Sequence, residues 1–177
     1  MHTQLVISLL APDAPGLLAR LIWLIAQNQC LYHDSRIAVF GETLTGSILV
    51  DGAWDRLAKL ETALEKFQIE TGANLQWQRT HRNHSRQRCL PYIIDAIGLT
   101  SVNMPEAIAD FLARHGIRIR DFSTHCYLPQ HSNEPLTVLR ALVDVPADLH
   151  LGQLKSHFFD LCDRINLDAA LEPDRSA

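Results

Sequence analysis

Apolar residues recur along this chain in blocks that switch between strand and helix spacing. Residues 5–10 read as a short apolar strand. Residues 15–27 read as a helix, because Leu17, Leu18, Leu21, Leu24 and Ile25 fall on one face at helical spacing. Residues 31–40 and 44–50 read as two strands joined by a hairpin around Gly41. Residues 55–67 form a second helix, with Leu57, Leu60, Leu64 and Phe67 as its apolar stripe. Residues 74–79 close the unit as a last strand, so the order is βαββαβ.

The second half repeats the first. At a shift of 87, Val6 meets Ile93, Leu17 meets Met104, Leu21 meets Ile108, Leu24 meets Phe111 and Ile25 meets Leu112. Tyr32 and Asp34 meet Ile119 and Asp121 at that same shift. Further on, Val50-Asp51 meets Val143-Asp144, and Leu57, Leu60, Leu64 and Phe67 meet Leu151, Leu154, Phe158 and Leu161. The shift grows inside the segment 128–135, so the extra residues belong to a surface turn, where an insertion costs least. A split βαβ unit in this order builds a four-stranded antiparallel sheet with two helices on one face. The expected fold class is therefore α+β, with two ferredoxin-like units: residues 1–80, a basic polar linker over 81–89, and residues 90–173.

Composition narrows the function. A net charge of −4 and a pI near 6.1 argue against a nucleic-acid binder carried by overall charge. No secretory leader is legible at the start, and the most apolar stretch, 17–26, is short and contains Arg20, which speaks against a membrane protein. Cys30, Cys89, Cys126 and Cys162 lie far apart with no CxxC pattern, as reduced cytoplasmic thiols would.

One turn stands out chemically. Asp13-Ala14-Pro15-Gly16 separates the first strand from the first helix, which Leu17 enters. Asp13 is suited to cap that helix, Pro15 suits its first turn, and Gly16 lets a ligand approach the backbone. Free N–H groups there attract a carboxylate. Asp34 and Asp121, near the starts of the second strands, are candidates to hold an ammonium, and the two poles together suit an amino acid. The same spacing equally describes a plain helix start.

The Asp13-x-Pro15-Gly16 turn, the strand Asp34-Ser35-Arg36-Ile37-Ala38 followed by Gly41-Glu42, and the tandem unit together resemble the glycine cleavage system transcriptional repressor family. The resemblance spans the chain and is strongest over residues 5–54. It implies ACT domains, which as a class bind small ligands, often amino acids, at domain interfaces. It further implies a cytoplasmic, glycine-responsive regulator acting through a DNA-binding partner protein. The ligand site it suggests comprises Asp13, Ala14, Pro15, Gly16 and Leu17 with Asp34, Ser35 and Arg36. Many amino-acid-binding ACT domains begin the second strand with Gly-x-Asn-Ile. Here that stretch is Gln29-Cys30-Leu31-Tyr32, and Gly116-Ile117-Arg118-Ile119 in the second copy, whose turn reads Thr100-Ser101-Val102-Asn103. The alternative reading is a stand-alone tandem pair that regulates a metabolic enzyme by protein contact.

The region Arg79, His81, Arg82, His84, Arg86 and Arg88 is basic without an acid among these positions, and serves either phosphate contact or a solvated linker. No helix-turn-helix with a basic reading helix is visible. No catalytic residue, metal site or cofactor is expected. His81 and His84 lack a supporting cluster, neighbouring His125 and Cys126 would point to opposite faces of a strand, and no phosphate-cradle, Rossmann or nucleophile-elbow motif occurs. Self-association of such units is possible on this reading.

Overall fold

A computed structural model describes residues 3–81, 88–101, 103–131 and 133–175. The chain divides into unit 1, Met1–His84, and unit 2, Ser85–Ala177. Unit 1 contains β1 (Thr3–Pro12), α1 (Leu17–Gln27), β2 (Leu31–Phe40), β3 (Thr43–Gly52), α2 (Trp54–Thr71) and β4 (Asn74–Thr80). Unit 2 contains β5 (Cys89–Leu99), α3 (Asn103–Arg114), β6 (Arg118–Tyr127), β7 (Leu136–Pro146), α4 (Leu151–Arg164) and β8 (Asp168–Pro173). The sheets run β2-β3-β1-β4 and β6-β7-β5-β8, antiparallel throughout.

The repeat extends to register. Val6 pairs with Leu49, and their counterparts Ile93 and Leu142 pair in unit 2. Each second strand carries an irregularity at the same place: the pairing slips between Tyr32 and Asp34, and again between Ile119 and Asp121. The loop between β6 and β7 spans 128–135, whereas Gly41-Glu42 suffices between β2 and β3. A left-handed Gly41 (φ 61°) in a two-residue loop is what a tight hairpin between twisted strands requires.

The cores follow the predicted helix faces. Leu5, Ile7, Leu21, Ile48, Leu57, Leu60 and Leu64 are fully buried in unit 1, as are Ile94, Ile108, Leu139, Val143 and Phe158 in unit 2. Period-2 alternation in β1 places Leu5, Ile7, Leu9 and Ala11 inward. Strands β1 and β3 run one or two residues further at each end than expected, and two helix boundaries differ by two residues or more. Helix α1 opens at Leu17, since Gly16 is left-handed (φ 85°) and ends the preceding turn. Helix α2 runs past Phe67 to Thr71, where left-handed Gly72 stops it and its N–H bonds the Gln68 carbonyl at 2.8 Å. The last turn carries exposed Ile69, so the apolar stripe could not announce it.

Among the described residues, no helix is long and apolar enough to cross a membrane. Nor does any group of three His, Cys, Asp or Glu gather in a way that would hold a metal. The expected linker lies mostly outside the described residues, as do Val102 and Ser132. Cys89, its last residue, opens β5, and Arg79 belongs to β4.

The four cysteines are free thiols. Burial pushes the Cys162 thiol up to about 11. Cys162 is 2% exposed on the inner face of α4. Because its folded pKa is raised, the stabilising protonated state is intact below the unfolded pKa of about 8.5. That contribution is lost as the pH climbs from there through about 11. Unit 2 should therefore weaken over this alkaline window, followed by circular dichroism. A thiol reagent at neutral pH should label exposed Cys126 first and Cys30 and Cys162 only on unfolding. Prompt labelling of Cys162 would contradict the burial.

Candidate ligand-binding site

The turn after β1 is tied to the β2–β3 hairpin, since the Asp13 N–H donates to the Glu42 carbonyl at 2.8 Å. Unit 2 repeats this tie one repeat later, from the Thr100 N–H to the Pro135 carbonyl at 2.9 Å. Asp13, Ala14, Pro15 and Gly16 are all exposed, while Leu17 is anchored in the core. Asp13 does not cap α1. The N-cap is Gly16, and no side chain accepts from the first turn. Pro15 precedes the cap instead of occupying the first helical position.

The Leu17 N–H donates to the Ala14 carbonyl at 3.1 Å, so it is not open to a ligand. The open donors at this helix start are those of Leu18 and Ala19, which have no backbone partner among the described residues. A Cβ built on Gly16 would meet nothing within 4 Å, so the backbone here faces open space. The turn can thus present N–H dipoles to an anion, with the helix dipole behind them.

The acidic candidate Asp34 lies away from the turn of its own unit. Asp34 pairs with Leu49, which pairs with Val6, while Asp13 sits beyond the far end of β1. Six residues of strand separate Val6 from Pro12, a distance of about 20 Å. Within unit 1, Asp34, Ser35 and Arg36 are therefore not brought to the turn. The Asp34 carboxylate is also engaged: Oδ1 accepts from the Ser35 N–H at 2.7 Å and from Arg36 Nη1 at 2.7 Å. These bonds, the Ser35 one foremost, hold Asp34 below the ordinary carboxylate range. Asp121, its repeat counterpart, lies on β6 and is exposed.

In unit 2 the turn after β5 is held by side chains. Thr100 Oγ1 lies 2.9 Å from Thr137 Oγ1 and 3.2 Å from Cys126 Sγ. Arg79, considered above for phosphate contact, is committed elsewhere. It grips Glu61 with Nε at 2.8 Å and Nη2 at 3.0 Å, and stacks 5.0 Å over the Trp54 ring.

A cavity of about 490 Å³ lies at the other end of unit 1, lined by Gln4, Gln29, Leu31, Asp51, Ala53 and Arg56. Sequence reasoning missed it, because its polar groups come from two strands, a loop and a helix start. A signal was nevertheless present: Val50-Asp51 aligns with Val143-Asp144, while Leu31 aligns with Arg118.

Comparison with known proteins agrees with this architecture. Residues 3–78 match the family model of the ACT domain. A crystal structure of a candidate glycine cleavage system transcriptional repressor aligns over 98% of both chains, with a TM-score of 0.69 and 21% identity. The chain is a tandem ACT-fold protein. A second crystal structure, of a Galdieria sulphuraria protein, aligns over 98% of this chain and 99% of that one, with a TM-score of 0.78 and 20% identity. In sequence, the tandem ACT-fold chain is 20% identical to the glycine cleavage system transcriptional repressor of Escherichia coli K12, over 94% of this chain and 88% of that protein.

Proposed function

We propose that this tandem ACT-fold protein is a ligand-responsive cytoplasmic regulator that senses a small amino acid, glycine first. On this reading it acts through a DNA-binding regulator protein and carries out no catalysis. The domains are residues 1–80 and 90–173. The ligand carboxylate sits against the turn of Asp13, Ala14, Pro15, Gly16 and Leu17 and accepts from the N–H groups of Leu18 and Ala19 that follow it. The ammonium meets an acidic second strand supplied by another unit or copy, either Asp34-Ser35-Arg36 or the stretch at Asp121. The observation that carries the reading is the exposed start of α1, with left-handed Gly16, no capping side chain and open N–H groups. The similarity to the Escherichia coli repressor along most of the chain supports the regulatory class.

Calorimetry with glycine, serine and alanine at millimolar concentration tests the ligand. Glycine should bind weakly. Leu31 stands where many relatives of the class carry Asn, and one missing hydrogen bond weakens binding by about 0.5–1.5 kcal/mol. Gly16→Val should abolish the heat, because a branched side chain would fill the space before the N–H groups. Its fold should be checked by thermal melting, since φ 85° strains any L side chain. Heat from none of the three amino acids, or unchanged binding in Gly16→Val, would sink this site.

The purified protein should bind DNA weakly and without sequence preference, given its acidic balance and committed Arg79. Tight operator-specific binding at physiological salt would show that no partner is needed. A pull-down separates the two regulatory readings: a transcription regulator supports the first, a metabolic enzyme the alternative.

A further inference from the structure

The internal repeat allows each site in one unit to be compared with its counterpart in the other. In unit 2, Asp144 on β7 pairs directly with Arg118 on β6. The Arg118 guanidinium closes onto that carboxylate, with Nε 3.2 Å from Oδ2 and Nη2 in contact with the same oxygen. Arg120 Nη1 lies 3.8 Å from the other carboxylate oxygen. The helix that follows is served too: His150 is the N-cap of α4, and its Nδ1 accepts from the Gln153 N–H at 3.4 Å. Both poles of this corner are satisfied from within the chain.

Unit 1 has the matching strand pair without these partners, and its helix α2 opens about one turn earlier, so that Arg56 aligns with His150. Asp51 pairs directly with Leu31, at the register position of Arg118. Leu31 is 65% exposed and has no donor to offer. Among the described residues His33 approaches the carboxylate, with Nδ1 3.2 Å from Asp51 Oδ2. The N-cap of helix α2 is Ala53, which offers no capping side chain. The N–H groups of Trp54, Asp55 and Arg56 have no backbone partner among the described residues. Between these poles lies the cavity of about 490 Å³.

A third group lines the same corner. Gln4 pairs with Asp51 on the other side and lines the same cavity. It is 7% exposed, yet its carboxamide makes no hydrogen bond to a described residue. Its polar atoms are not sealed off either, as no sealed, unpartnered side-chain atom occurs among the described residues. A carboxamide this buried normally has a partner. Arg56 bonds the Gln29 carbonyl through Nη1 at 3.2 Å, which leaves the rest of its donor fork for an anion.

We propose that this corner of unit 1 binds a small guanidino acid, of which free arginine is the representative. Its guanidinium sits on Asp51, where Arg118 sits on Asp144 in unit 2. Its carboxylate takes the role of the His150 ring, accepting from the start of α2 and from Arg56. Gln4 supplies a further hydrogen bond. The site is at the opposite end of β1 from the Asp13–Gly16 turn of the same unit.

Calorimetry on the full chain with L-arginine tests this, with agmatine and propionate as probes carrying one pole each. Arginine should bind at millimolar concentration or below, and each single-pole probe at least tenfold more weakly. Asp51→Asn and Arg56→Ala should each weaken arginine at least tenfold, while Gly16→Val leaves it unchanged. Leu31→Arg, at an exposed position, recreates the unit 2 pairing. It should abolish arginine binding and raise the melting temperature, so the test survives if Asp51→Asn folds poorly. The proposal is overturned by no arginine heat, by full binding in Leu31→Arg, or by a loss seen only in Gly16→Val. Glycine binding lost in Gly16→Val with arginine retained would separate the two sites. Glycine failing while arginine binds would end only the turn reading.

Discussion

Phe158→Ala is expected to lower the stability of unit 2 by about 3–5 kcal/mol. Phe158 is fully buried on α4, 5.6 Å from the Phe111 ring of α3 and 5.6 Å from Phe159. Truncation removes that apolar surface and leaves a cavity between two helices and the sheet, which a small domain cannot collapse around at little cost. Its repeat counterpart Leu64 is equally buried on α2, and Leu64→Ala should lower the stability of unit 1 by about 2–5 kcal/mol. Urea unfolding with a probe in each unit measures both. Midpoints unmoved by either change would mean that the helix faces are wrongly assigned.

Gly46→Ala should cost about 1–3 kcal/mol or more, although only a methyl group is added. Gly46 lies on β3 opposite Ile37 of β2. A Cβ there would run into the Arg36 carbonyl and would lie 2.9 Å from Ile37 Cα. Both obstacles are backbone, so no side-chain rotation relieves them, and strand β2 itself must move. Because β2 is an edge strand, it can peel away while β1, β3 and β4 remain paired. Amide exchange should quicken from Leu31 to Phe40 and stay slow in β1. Unaltered exchange in β2 would show that the strands already have room. Gly16→Ala makes the contrast: it meets no atom within 4 Å, so its cost is only that of a left-handed φ, about 1–2 kcal/mol.

Different parts of the molecule were legible to different degrees. The βαββαβ order, the repeat and the buried helix faces could be read from apolar spacing, as Leu21 and Ile108 illustrate with full burial at matched positions. Burial of a helix face depends mainly on residues a turn apart, and that information is local. The helix ends were less legible. At Gly16 and Gly72 the backbone turns left-handed, and Asp13, which looks like a cap, spends its N–H on the hairpin.

For the chemical sites, the sequence alone determined which charged and polar residues were available. It also marked Asp13–Gly16 as a turn, because Pro and Gly restrict or free the backbone whatever surrounds them. Only the tertiary structure decided which groups meet. It kept Asp34 about 20 Å along the sheet from that turn, committed Arg79 to Glu61, and gathered Gln4, Asp51 and Arg56 around one cavity. Gln4 is far from Asp51 and Arg56 in the chain, and its meeting with them depends on the register of β1 against β3. A slip of one residue would turn Asp51 to the opposite face. Register is a property of whole strands packed against a core, so no local pattern around any one of these residues could express it.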